Sequence, residues 1–200
     1  QLNKKQQLNE LNLNGIFANL VQTNTGVDVS NAQEFYNAVV NGTNNNINVT
    51  SDIDLGAYTS SSFSMSNPRN LTINGNGHTI NFGYSYIIPN WSSSSQELTV
   101  TINDANLYTA NSMGAVVLNH YGLLYNNKLR LIYNNVNSTG GTAVFADTTS
   151  LDTGNGLINN NTGKPSKTFQ IKGNTSIKAV DSYTYNGESY STGFSGAHGS

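Results

Sequence analysis

Two aspartates one residue apart, Asp52 and Asp54 in SDIDLG, are the carboxylates whose spacing invites chemistry. On an extended strand they share one face while Ile53 and Leu55 take the other, which suits half of a calcium site or the acid and base of a glycosidase. A calcium ion needs about six to eight oxygens, so the two carboxylates would have to recruit Asn side chains or carbonyls. The reading adopted is a solvated pair that keeps the outer face of its strand from recruiting other chains. His78, His120 and His198 are too scattered for a metal cluster. The chain has no cysteine, which removes thiolate sites and disulfides alike. His78, just past an Asn-Gly-Asn-Gly turn, is expected to hydrogen-bond on the surface.

Abstracting a proton beside a uronate carboxylate calls for a strong base, and for a metal or several cations to neutralise the acid. The chain offers Arg69 and Arg130, with Lys128, Lys164, Lys167, Lys172 and Lys178 gathered late, and no group of aspartates with an arginine on neighbouring segments. No catalytic residue, metal or cofactor is predicted. The aromatic residues point to binding instead. Eleven Tyr and one Trp against seven Phe give many rings a polar handle, useful where a ring is half wet. FGYSYIIPNW brings Tyr84, Tyr86 and Trp91 together, and DSYTYNGESYSTG does the same for Tyr183, Tyr185 and Tyr190. Tyr84, Tyr86, Trp91, Tyr183 and Tyr185 are the predicted ligand-binding residues, with Lys128 and Arg130 as a small positive spot. Phe82, Tyr84 and Tyr86 alternate on one side, so part of this group is expected to be core.

The elements that must position these residues change period along the chain. Residues 1–26 carry leucines at mixed spacing and read as an extension or end flap. In SNAQEFYNAVVNG, Asn31 with Glu34 three residues on forms a capping box, and Ala32, Phe35, Tyr36, Val39 and Val40 make one apolar stripe before Gly42. A helix at about 31–41 follows. Beyond it the period falls to two, in strands starting at Ile47, Leu71, Leu98, Leu129 and Thr168, each running into Asn, Gly or Asp. Spacings of about two dozen residues, lengthening along the chain, describe a repeat array in which each coil covers the apolar face of its neighbour. The stretch LTINGNGHTINFG is then one turn of scaffold. Leu71 and Ile73 point inward, Asn74 to Gly77 turn, and Ile80 and Phe82 point inward again. The helix would cap the first coil, and residues 27–200 would form one domain. A jelly roll or immunoglobulin-like sandwich is the rival arrangement.

Composition narrows the partners. The formal charge is -2 and charged residues make up 10% of the chain, against about a quarter in ordinary domains, so nothing resembles a nucleic-acid footprint. The surface must be built of amides and hydroxyls, for which 34 Asn are available. No window of eighteen apolar residues marks a membrane-spanning helix. The chain opens on Gln1 and ends in Gly199-Ser200, which predicts a processed or excised piece of a protein with further domains after Ser200. With reference pKa values, the net charge near pH 4 would rise to about +6, favouring acidic polysaccharides there.

The succession VDVSNAQEFYNAVVNG, INVTSDIDLG and LTINGNGHTINFG, over Val27 to Gly83, resembles the opening of the pectate-lyase-like adhesive domains of surface proteins from lactobacilli and related Gram-positive bacteria. The resemblance implies an all-β, right-handed parallel β-helix displayed outside the cell and attached to the bacterial wall through regions beyond this chain. It also implies a non-catalytic adhesin that binds host epithelial or matrix glycans or glycoproteins. A polysaccharide lyase or glycoside hydrolase acting on acidic polysaccharide is the alternative, and a structural spacer the second.

Overall fold

The computed structural model describes residues 26–58, 62–89, 98–118, 129–144 and 167–193. Residues 1–25, Trp91, His120, Lys128 and His198 lie outside them. The elements in chain order are β1 (Val27–Val29), α1 (Ala32–Tyr36) continued by a π-helical turn (Asn37–Asn41), β2 (Asn46–Val49), β3 (Ile53–Asp54), β4 (Ser62–Ser64), β5 (Leu71–Asn74), β6 (Thr79–Gly83), β7 (Tyr86–Ile88), β8 (Leu98–Thr109), β9 (Leu129–Gly140), β10 (Lys167–Lys172), β11 (Ser176–Ala179), β12 (Ser182–Tyr185) and β13 (Glu188–Ser191). The described residues are mostly β, with one short helix.

Strands pair in parallel with the equivalent strand of the next segment. One ladder runs β1, β2, β5, the first half of β8, the first half of β9 and β10. A second runs β3, β6, the later half of β8, the later half of β9 and β11. A third pairs β4 with β7, and Ile87 bridges onward to Val116. The register stacks like on like. Ile47, Ile73, Ile102 and Tyr133 lie over one another in the first ladder and Ile53, Ile80 and Leu107 in the second, all fully buried.

The bend between the first two ladders is made by residues in the left-handed region, Asn76 (φ 51), Asp104 (φ 51), Asn135 (φ 54) and Gly173 (φ 61). Asn and Asp tolerate this conformation because a short polar side chain bonds locally. In β8 it has a specific effect. Ile102 is buried, Asn103 half-buried, Asp104 exposed and Ala105 buried again, so the alternation slips by one residue and both halves keep their apolar side chains inward. Gly75 faces a neighbouring backbone so closely that a Cβ there would lie 2.5 Å from the Asp104 carbonyl oxygen.

An amide ladder runs beside this bend. Asn134 Nδ2 donates to Asn103 Oδ1, Asn103 to Asn74, Asn74 to Asn48, and Asn48 to Asp28 Oδ1, at 3.1, 3.1, 3.1 and 3.3 Å. Every bond points toward the N-terminal end. The last acceptor is a carboxylate, which needs no donor of its own, and the next register position beyond Asn134 is Lys172.

The helix starts at the predicted cap, but Glu34 closes the box on side chains and not on the Asn31 backbone N–H. Glu34 N donates to Asn31 Oδ1 at 2.9 Å, while Asn31 Nδ2 and Ser30 Oγ donate to Glu34 Oε1. Its second turn departs from expectation. Ala38, Val39 and Val40 are all buried, a run of three that a 3.6-residue period cannot place on one face. The π turn, closed by Gly42 N to Asn37 O at 2.8 Å, accommodates it. Phe35 packs edge-on against Phe82. Arg69, which by sequence was one of the few available cations, is buried. Its guanidinium donates to the carbonyls of Ala38, Val39, Asn44 and Asn67, satisfying the end of the helical segment, where a cation also complements the dipole. Arg69→Met should cost about 2 to 3 kcal/mol in urea unfolding, because the charge-assisted bonds are lost and their carbonyls stay buried.

Tyr133 is fully buried, its hydroxyl has no hydrogen-bond partner among the described residues, and its ring packs edge-on against Phe169. An orphaned buried hydroxyl is a liability. Tyr133→Phe is expected to raise stability by about 1 kcal/mol, visible as a higher midpoint in thermal unfolding; a lower midpoint would show that the hydroxyl is needed.

Candidate functional site

The outer face of the second ladder carries a row in register, Asp54, Asn81, Tyr108, Thr139 and Lys178, one residue per strand. Across it lies the β12–β13 hairpin, which among the described residues pairs only with itself. Its two-residue turn, Asn186 (φ 48) and Gly187 (φ 80), is of the primed kind that matches strand twist. At the root, Val180 N donates to Gly140 O and Thr192 N to Asp181 O, both at 2.9 Å. The hairpin is a strap that reaches from the last described strands of the ladder back to those nearest the helix.

Tyrosines hold the strap down. Tyr183 and Tyr190 stack with ring centroids 5.0 Å apart and planes 18° apart. Tyr108 lies beneath, 5.2 Å from Tyr183 and 5.8 Å from Tyr185, and Tyr84 flanks Tyr190 at 5.7 Å. Tyr183, Tyr190 and Ala110 form a small cluster separate from the main core. Polar contacts set the register. Tyr183 donates to Asn81 Oδ1 at 2.8 Å, Asn186 Nδ2 to Asp54 Oδ2 at 3.0 Å, and Ser191 N to the Tyr84 hydroxyl at 3.3 Å. Asn81 is fully buried, donates to Asp54 Oδ1 at 2.9 Å and accepts from Gly83 N. Gly56 N also donates to Asp54 Oδ1, and a side chain at Gly56 would strike the Tyr190 hydroxyl.

The two aspartates therefore differ. Asp54 anchors the strap and the strand beneath it, with its oxygens engaged by Gly56, Asn81 and Asn186. Asp52 accepts from Thr79 N at 2.9 Å and stands 3.4 Å from His78 Nδ1. Among the described residues no cluster of three or more His, Asp or Glu could hold a metal ion. A shallow concavity of about 510 Å³ lies elsewhere, lined by Asn31, Ala32, Gln33, Ala57 and Tyr58.

Of the predicted ligand-binding residues, Tyr84, Tyr183 and Tyr185 come together at the strap. Tyr84 is 50% exposed, unlike its sequence neighbours Phe82 and Tyr86; Gly83, at φ 56, breaks the alternation and turns Tyr84 outward. Tyr86 faces the core from β7. Arg130 is exposed on the first ladder, in register with Thr99 and Thr168, on a different face from the tyrosines. Trp91 and Lys128 lie outside the described residues. Sequence reasoning passed over Tyr108 and Asn81. Each looks like an ordinary outward position in an alternating strand, and only the register puts them beneath the strap.

Burial holds the phenols of Tyr183, Tyr185 and Tyr190 above the ordinary tyrosine value. The packed strap thus keeps its protons, whereas detached tyrosines ionise at about pH 10. Strap packing should be intact below that pH and lost as pH rises beyond it. Tyrosinate absorbance and amide exchange in residues 182–191 are expected to increase together above about pH 10, and ionisation without increased exchange would contradict this.

The parallel ladders define a parallel-β domain, and the comparison with known families agrees. Residues 26–146 match the family described as "Putative pectate lyase-like adhesive domain", to which the chain belongs. Among solved structures it is similar to the serine-rich repeat protein (SRRP) of Lactobacillus reuteri 53608, with 27% identity over 82% of this chain and a TM-score of 0.62. It is also similar to the SRRP of L. reuteri 100-23, with 26% identity over 84% of this chain and a TM-score of 0.61. The chain spans 48% and 43% of those longer chains. None of the curated proteins matches it at a significant level. No helix among the described residues is long and apolar enough to cross a membrane.

Proposed function

We propose that this domain is a non-catalytic adhesin module, displayed on a bacterial cell wall, that binds host epithelial or matrix glycans or glycoproteins through residues carried on a right-handed β-helix. In this reading the parallel ladders close into a solenoid, and α1 with its π turn caps the first coil. The observation that carries the proposal is the strap face, where the half-exposed ring of Tyr84 stands against Tyr190 and its hydroxyl accepts from Ser191 N. A half-exposed flat ring with a polar handle is the chemistry on which a sugar stacks. The hydrogen bonding of Asp54 supports a structural over a catalytic role for the aspartate pair. Family membership and the two SRRP neighbours support adhesion.

Two residues support further coils or domains seated beyond β11. Ile171 is in register with buried Tyr133, and Ile177 with buried Ser138. Yet they are 51% and 37% exposed, as core positions are where the stack is left uncovered.

The test is binding of the purified domain to an array of neutral and acidic polysaccharides at about pH 4 and about pH 7, with Tyr84→Ala and Trp91→Ala alongside. Selective binding is expected, weakened about ten-fold or more by Tyr84→Ala, with acidic polymers bound more tightly near pH 4. Cleavage of any polymer would favour the lyase or hydrolase reading, and silence across the array the spacer.

A further inference from the structure

The sequence contains six Asn-Gly pairs, of which Asn41-Gly42, Asn74-Gly75, Asn76-Gly77 and Asn186-Gly187 lie in the described residues. Such a pair can deamidate when the glycine nitrogen attacks the preceding side-chain carbonyl carbon. Glycine offers least crowding to that attack, but its nitrogen must be free. In the scaffold it is not. Gly42 N donates to Asn37 O at 2.8 Å, Gly75 N to Asn103 O at 2.7 Å and Gly77 N to Asp104 O at 2.7 Å. Gly187 differs: among the described residues its N–H has no hydrogen-bond partner, it sits in an exposed turn, and a Cβ placed there would meet nothing within 4 Å.

We infer that Asn186 is a site of spontaneous deamidation, and that the reaction turns the distal anchor of the strap into a repulsive contact. The Gly187 nitrogen gives up its proton to solvent and bonds to Asn186 Cγ. The Cγ–Nδ2 bond breaks, and the departing nitrogen takes up protons from solvent and leaves as ammonia. Water then opens the resulting succinimide at either carbonyl, leaving aspartate or isoaspartate. The net change consumes one water and releases one ammonia, with no oxidant or reductant.

Its consequence follows from what the amide touches. Asn186 Nδ2 donates to Asp54 Oδ2 at 3.0 Å. After the reaction a carboxylate stands where that donor was, facing another carboxylate, and like charges so close repel. The isoaspartate product adds a backbone atom to a two-residue turn, which the primed geometry does not accommodate. Because β12 and β13 pair only with each other, the hairpin has no backbone ladder to the sheet below to compensate. The step is one-way, so it would mark the age of the molecule at its strap.

The experiment is peptide mapping by mass spectrometry of the intact domain incubated in mildly alkaline buffer. Conversion at Asn186 is expected about ten-fold or more faster than at Asn41, Asn74 and Asn76. Equal rates, or an unchanged Asn186 while another of these pairs converts, would overturn the assignment. Hydrogen exchange across residues 182–191 then tests the consequence. Asn186→Asp should exchange faster than Asn186→Ala, since the first adds repulsion while the second only removes a bond. Exchange in the Asp variant equal to or slower than in the Ala variant would refute the repulsive contact.

Discussion

Shared register between successive parallel segments is the constraint on which the rest of this structure depends. Each strand of the three ladders satisfies its backbone by pairing in parallel with its equivalent in the next segment, so a one-residue slip in a ladder would turn a core position outward. The left-handed residues at the bend protect that register. Asp104 and Asn135 sit opposite one another in neighbouring strands, and the Asn135 side chain bonds to that of Asp104 at 3.1 Å. The conformation that redirects the chain and the bond that aligns adjacent coils thus reside in the same residues.

Asparagine can serve in this way because its side chain both donates and accepts. In the ladder from Asn134 to Asp28 each amide passes one hydrogen bond to the next, and the direction is set by the carboxylate at its end. At Asn31 the same side chain accepts a helix N–H, and at Asn81 it bridges strap and sheet. A chain with only 10% charged residues can hold its surface polar and its bends specific on these terms. Neutral hydrogen bonds are individually modest, about 1 kcal/mol net, and a continuous row is cooperative.

The strap alters what a repeat array would otherwise do. Stacked coils touch only their neighbours, so stability is close to a sum of local terms. The bonds from Tyr183 to Asn81 and from Asn186 to Asp54 join residues 102 and 132 positions apart, coupling strands that share no ladder contact. Its hold comes from stacked phenols and a few polar bonds, not from backbone pairing, which sets it among the less stable parts of a fold. The strap face is therefore assembled from both ends of the described chain.

Much of the scaffold was legible in the sequence. Alternation located the long strands at Leu98 and Leu129, Asn31 with Glu34 marked the helix start, and Asn74 to Gly77 marked the sharp turn, because each is a local property of backbone and neighbouring side chains. The π turn was hidden, since three consecutive apolar residues obey no simple period. Arg69 gave no sign of its role, as the carbonyls it binds belong mainly to residues 25 to 31 positions earlier. Of the aromatic residues, sequence grouped Tyr183, Tyr185 and Tyr190 but could not place Tyr108 beneath them or separate buried Tyr86 from exposed Tyr84. By itself the sequence determined the repeating strands, their polar surface and the residue types available for recognition. Tertiary structure alone decided which tyrosines meet, because that depends on coil register and on a hairpin folding back over distant strands, and neither leaves a periodic trace in the chain.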